Sequence, residues 1–229
     1  MPKVAIDRFF VVDFDRCIGN VDATFGLLKD VLDDLSIMSR EDIQQARSQV
    51  EEQDKSFDAI EYVASSIPGV DLLLVKRRYI ELAAQDQGSL LEPGAKEFID
   101  YLKESNSKFC IMSYGNDFWQ RLKIIATGFG DESVAIVGNK YKAGFIAGWK
   151  NSQTGYFDIP GSYFADGKGR TAREVILVDD KPIAFEGLPI GARGYLVQGS
   201  VKIHQSDVCE LPPSVEQVVR VNEIIKNLS

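Results

Sequence analysis

No stretch of this chain approaches the roughly 18 consecutive apolar residues of a membrane span, so no membrane-embedded segment is expected. A positive excess is missing too. The formal net charge of -8 and pI near 4.8 exclude a protein that grips nucleic acid or an anionic membrane through a broad basic face, although a small anionic substrate can still be met by a locally positive site. Cysteine is sparse: Cys17, Cys110 and Cys209 are odd in number and unpatterned in spacing, which fits reduced thiols rather than a disulfide framework. The one histidine, His204, sits far from every motif and reads as structural or exposed. The opening MPKVAIDRFFVVDFD has a short apolar stretch broken by Asp7, Arg8 and Asp13, unlike a signal peptide, and a cytoplasmic protein is expected. Internal repeats and low-complexity linkers are lacking as well.

What is present is the composition of a folded globular chain, 45% hydrophobic and 26% charged, and 229 residues suffice for one α/β core with a modest inserted module. Arg8 to Val12 (RFFVV) reads as a buried strand that empties into Asp13 and Asp15. Helical periodicity then takes over. Phe25, Leu28, Leu32 and Leu35 recur at threes and fours, Ser39 with Asp42 resembles a capping pair, and Phe57, Ile60, Val63 and Ile67 form a stripe that ends at Pro68-Gly69. Leu72, Val75, Tyr79 and Leu82 make another. After Pro93-Gly94 come a helix with Phe98, Ile99 and Leu102, the strand FCIM running into Ser113-Tyr114-Gly115-Asn116, and a helix from about Asp117 to Ala126. Tyr141 to Phe157 reads as a hairpin or irregular segment. The run VILV ends in Asp179-Asp180 and is followed by a short helix, a strand around Gly194 to Val197, and a terminal helix from about Pro213 to Leu228. Strands alternating with helices predict an α/β fold with a doubly wound, mostly parallel sheet, its core in residues 1–20 and 88–229 and an inserted helical module in 21–87.

Ligands of such sheets bind beyond the carboxyl ends of the strands, which should gather Asp13, Asp15, Ser113, Asp179 and Asp180. Carboxylates crowded there repel one another unless a cation sits among them, and hard oxygen donors suit Mg2+.

The stretch VVDFDRCIG resembles the first motif of the haloacid-dehalogenase-like (HAD) superfamily, two aspartates flanking one residue directly after a hydrophobic strand. FCIMSYGN resembles its second motif, Lys168 is placed like the third-motif lysine, and VILVDDKP resembles the acidic fourth motif. The resemblance implies a Rossmann-like core with a C1-type helical cap and a Mg2+-dependent phosphohydrolase acting on a small phosphorylated metabolite. It makes Asp13 the nucleophile and Asp15 the acid and base. Ser113, Tyr114, Gly115 and Lys168 are then the phosphate-binding residues, and Asp13, Asp15, Asp179 and Asp180 the metal site. Lys150 and Lys181 compete with Lys168 for its role. Two positions depart from the pattern: Arg16, where a small residue is frequent and which could pair with Asp15, and Cys17, where Thr or Val is usual.

Other readings explain less. A phosphotransfer receiver uses similar residues but carries its acidic pair on the first strand, whereas the adjacent acids here come late. A DxD glycosyltransferase needs neither Ser113 nor the second Asp pair. A non-catalytic phosphate-ligand-binding protein and a phosphomutase on the same fold stay open. The Lys76, Arg77, Arg78 cluster reads as a solvated helix face ahead of the alternative, a grip on an anionic substrate tail.

Overall fold

The computed structural model describes residues 4–53, 57–199 and 207–228, and His204 lies outside them. Its first compact unit comprises residues 1–18, 92–114 and 131–229, and is built on a seven-stranded sheet. The strands are β1 (Val4–Val12), β2 (Lys108–Tyr114), β3 (Val134–Val137), β4 (Phe157–Ile159), β5 (Arg170–Asp179), β6 (Ala192–Val197) and β7 (Val215–Val218). Their order is β3-β2-β1-β5-β6-β7, all parallel, with β4 pairing antiparallel to the start of β5.

β1 shows why the sequence settles here. Phe9, Phe10, Val11 and Val12 are all buried, a continuous apolar run that only a sheet covered on both faces can accommodate. Alternation sends neighbours to opposite sides. Phe10 meets Phe98 of α5 (Ala95–Glu104), while Phe9 meets Trp149 of α7 (Lys142–Trp149), edge to face in both cases. The strand is longer than RFFVV because Val4 to Arg8 continue the ladder along Arg170 to Glu174 of β5.

The second compact unit takes residues 19–91 and 115–130. It holds α1 (Val21–Asp34), α2 (Arg40–Glu51), α3 (Ala59–Ser66), α4 (Leu72–Ala83) and α6 (Asp117–Ala126). The starts of these helices are capped by side chains the sequence advertises: Asn20 accepts from the Ala23 amide, Ser39 from Asp42, Asp58 from Glu61, Asp71 from Leu73 and Leu74, and Asn116 from Trp119. Residues 115–130, expected with the α/β core, group with the helices because Trp119, Leu122 and Ala126 share one apolar cluster with Phe25, Leu28, Val63 and Tyr79. Tyr79 packs edge to face on Trp119 and donates its hydroxyl to the Thr24 carbonyl at 2.9 Å. Arg78 pairs with Asp34 and Glu81, as a solvated helix face does.

Two expected elements differ from the structure. Tyr141 to Phe157 is not a hairpin throughout: Lys142 to Trp149 form α7, and only Phe157 to Ile159 join the sheet. Gly144 and Gly148 weaken the local helix signal, yet Lys142, Ala143, Ile146 and Trp149 are the residues it buries, at helical spacing. Likewise, Pro213 to Leu228 is not one helix. Val215 to Val218 add an edge strand beside β6, and helix α8 covers only Ile224–Leu228. The apolar residues of that stretch recur at threes, which mimics a helix, but the open edge of β6 offers a ladder that overrides the pattern.

Among the described residues no helix is long and apolar enough to cross a membrane. All three cysteines are free, Cys17 and Cys110 buried and Cys209 partly so.

Candidate active site

The carboxyl ends of β1, β2 and β5 converge in the first unit. β1 and β5 run in register to their last residues, where the Asp13 amide donates to the Val178 carbonyl at 2.8 Å, so Asp13 and Asp179 leave adjacent strands side by side. One carboxylate oxygen from each of Asp13, Asp179 and Asp180 lies within 4.8 Å of the other two, and all three residues are buried. At an effective dielectric of about 20, each such pair of charges repels by roughly 3 kcal/mol. The structure answers part of that repulsion with Lys142, the first residue of α7. Its buried ammonium group donates to Oδ1 of Asp13 and, at 2.6 Å, to Oδ2 of Asp179.

A cavity of about 30 Å3, lined by Asp13, Asp15, Ser113, Tyr114, Lys140, Lys142, Asp179 and Lys181, opens beside this cluster. That is room for an ion or water and the phosphoryl end of a ligand, not for its whole body. Burial pushes the Asp13 carboxyl up to about 6 against the pull of Lys142, with the charges of Asp179 and Asp15 adding to the rise. Burial and the charges of Asp13 and Asp179 also drive the Asp180 carboxyl well above the ordinary carboxylate range, opposed by Lys181 and Arg16. Lys142 shifts the other way from a lone buried amine: burial disfavours its charge, but Asp13 and Asp179 outweigh burial and raise it.

No protein-family model and no curated protein matches the sequence. Solved structures match along almost its whole length. A protein described as a haloacid-dehalogenase-like hydrolase from Burkholderia xenovorans superposes with a TM-score of 0.59 at 17% identity, covering 96% of this chain and 95% of that one. A HAD-type hydrolase from Bacillus subtilis, bound to magnesium, superposes with a TM-score of 0.53 at 16% identity, covering 97% of this chain and 99% of that one. The chain has the HAD-like fold.

Within that HAD-like fold, Asp13, Asp15, Ser113, Tyr114 and Asp179 all border one cavity, and Asp180 stands against it in the acidic cluster. Ser113 is buried at the end of β2, and Tyr114 beside it is exposed. Gly115 belongs to the helical unit and is not among the cavity residues. Its φ of +136° is one glycine alone adopts readily, and a Cβ there would sit 3.0 Å from Gln120 Nε2.

Lys168 is not at the cavity. It is exposed, with its amide bonded to Asp166, two residues before β5 begins. The ten residues of that strand, at about 3.3 Å each, put it roughly 30 Å from the end that carries Asp179. Nor does Lys150 reach it, since its ammonium donates to the Gly155 carbonyl and lies over the Phe157 ring. Lys181 does border the cavity. The lysine that bonds the aspartates, Lys142, went unread because strand β3 and helix α7 before and after it were missed. The signal was there in VAIVGNKYKAGFIAGW, an apolar strand, a polar loop and a helical stripe beginning at the lysine. A further lysine, Lys140, borders the cavity and pairs with the buried Asp207. Arg16, the residue beside Asp15, forms an ion pair with Asp180.

The residues fit a divalent cation. Oδ1 of Asp180 is buried with no hydrogen-bond partner among the described residues, a costly arrangement for a carboxylate unless a cation completes it. Both oxygens of Asp179 are already engaged, Oδ1 by the Lys181 amide at 2.9 Å and Oδ2 by Lys142. The donor set is all oxygen, as Mg2+ prefers.

Proposed function

We propose that this protein is a member of the HAD superfamily and a Mg2+-dependent phosphohydrolase of small phosphorylated metabolites, with residues 21–87 in the role of its cap. The observation that carries the reading is the buried meeting of Asp13 with Asp179, Asp180 and Lys142 beside Ser113. An ordinary turn aspartate is exposed and capped by backbone amides; Asp13 is buried among like charges and faces a cavity.

The Asp13 carboxylate, largely ionised at neutral pH, would attack phosphorus while the bond from phosphorus to the ester oxygen breaks. Asp15 would give its proton to that departing oxygen, leaving an aspartyl-phosphate on Asp13. It would then take a proton from water, which attacks phosphorus, releases inorganic phosphate and restores Asp13. Lys142 and the Ser113 hydroxyl would hold the equatorial oxygens, where the charge of a loose transition state spreads. Asp13 and Asp180, with Asp15 through its main chain, would hold Mg2+, and Asp179 would orient Lys142. When bound, the ion supplies positive charge that lets an anionic phosphate approach this acidic edge.

Phosphate release from sugar phosphates, nucleotides and small phospho-acids, with and without Mg2+, tests the reading in the wild type and in Asp13→Asn. Metal-dependent release that disappears in the variant is the expected result. Tight binding of a panel member without release of phosphate would mark a binding protein instead, and an isomeric phosphate ester as product would mark a mutase.

A further inference from the structure

Arg16 holds a place that the mechanism above leaves unused. Its backbone has φ +65°, the left-handed region that non-glycine residues avoid, within a tight turn where the amides of Cys17 and Ile18 both return to the Phe14 carbonyl. Cys17 and Ile18 are fully buried, so the turn is anchored and Arg16 cannot relax without moving them. From that position one guanidinium nitrogen stands 3.7 Å from Oδ2 of Asp180. The separation is a charge contact, longer than a hydrogen bond, and Oδ1 of the same carboxylate has no partner among the described residues. Arg16 therefore compensates the charge of Asp180 without occupying the oxygen that would serve a metal. Lys142 does not take this part, since its ion pairs are with Asp13 and Asp179.

We infer that Arg16 is a built-in counter-ion of the acidic cluster that holds Asp180 in place when the metal is absent and weakens its affinity for Mg2+ when the metal arrives. The inference rests on the metal site proposed above. Two cations against one carboxylate repel, so the ion binds less tightly than the bare cluster would allow, and it exchanges with the medium instead of staying as a permanent fixture. Arg16 does not touch the reacting atoms in this scheme. It is a positioning residue whose charge tunes the site.

Calorimetric titration of the full, metal-stripped chain with MgCl2 reads this without any substrate. Arg16→Gln removes the charge but keeps a side chain on the strained backbone, and should bind Mg2+ about tenfold more tightly, as expected for a unit charge acting on a divalent ion across a partly screened gap. Arg16→Gly should bind at least as tightly, and Arg16→Lys should stay within about threefold of wild type because the charge remains. Metal-free Arg16→Gln should also melt at a lower temperature than wild type and recover when Mg2+ is added. Equal or weaker binding by Arg16→Gln overturns the inference, and so does tightening in Arg16→Gly alone, which would trace to backbone strain. Asp180→Asn separates the two levels of the argument. If it loses Mg2+ binding while Arg16→Gln is unchanged, only the counter-ion role fails; if it binds as wild type does, the metal site itself fails.

Discussion

At the carboxyl edge of the sheet Asp13, Asp179, Asp180 and Lys142 are buried, whereas at the amino edge Asp166 and Lys168 are exposed. Asp166 forms a two-pronged pair with Arg170, at 3.0 and 2.7 Å, across four residues of one loop and strand. The same residue type responds in opposite directions. Hydrogen bonds from Arg170 and the Lys168 amide hold the Asp166 carboxyl well below the ordinary carboxylate range, while burial pushes Asp13 up to about 6 despite its lysine. Charges at the amino edge are met by a partner and water and are locally content. At the carboxyl edge three acids are buried together and the one buried lysine pairs with two of them, an imbalance that a metal cation would resolve.

The sharpest way to break this contrast is to exchange the fates of the two lysines. Lys142→Ala leaves Asp13 and Asp179 buried without their shared cation, and should lower unfolding stability by about 3–5 kcal/mol in metal-free urea titrations. Phosphate release, if the proposed activity holds, should fall by at least about 100-fold. Lys168→Ala should change stability by no more than about 0.5 kcal/mol and leave turnover intact. Comparable losses in both variants would end the distinction between the edges.

Gly194→Ala attacks the stretch of sheet that joins the two edges. A Cβ on Gly194 would lie 2.7 Å from the ring of buried Phe185 and 2.9 Å from Val215 Cγ2, with little slack for either neighbour to move. We expect a loss of about 1–3 kcal/mol of global stability. Mg2+ affinity of the folded protein should be unchanged, and a selective loss of metal binding would instead mean that the carboxyl edge is less independent than its burial suggests.

How much of this was legible in the sequence follows the same divide. The aspartates of the site were readable because each ends a dense apolar run, RFFVV or VILV, whose burial on both faces leaves little freedom in where the strand stops. Ser113 was readable for the same reason. Lys142 was not, since the strand before it is four residues long and three of them are only partly buried, and the helix after it carries two glycines. Lys168 looked suitable because linear order places a lysine before the last acidic motif, but order along a chain does not say which end of a strand a residue occupies. The edge strand β7 escaped because its valines fit a helical period as well as an extended one, and only the neighbouring β6 decides between them.

The proton and the metal ion compete for the same oxygens at the carboxyl edge. Because the Asp13 carboxyl is raised from its ordinary value to about 6, it binds a proton at pH values where a solvated aspartate is fully ionised. Above that value the carboxylate is available to Mg2+ without proton release. Below it a proton must be displaced from Asp13 for each ion bound, in addition to any held by the raised Asp180 carboxyl, so apparent affinity should fall by at least about tenfold for each pH unit as pH drops from 6 to 5. Calorimetry in buffers of different ionisation enthalpy would register the proton directly. A flat affinity from pH 7 to 5 would place Asp13 with the content acids of the amino edge.

The smallest expected effect concerns the helix that delivers Lys142. Gly148 is exposed near the end of α7, its φ is not in the left-handed region, and a Cβ there would meet nothing within 4 Å. Glycine in a helix widens the unfolded ensemble and contributes no packing, so Gly148→Ala should stabilise the protein by about 0.5–1 kcal/mol. The gain should appear in global unfolding if α7 is an integral part of the core, as burial of Ile146 and Trp149 against the sheet implies. Amide exchange in α7 should then slow together with exchange in β1 and β5. Slower exchange in α7 alone would show that the helix opens separately, and that Lys142 can leave Asp13 and Asp179 without unfolding the sheet.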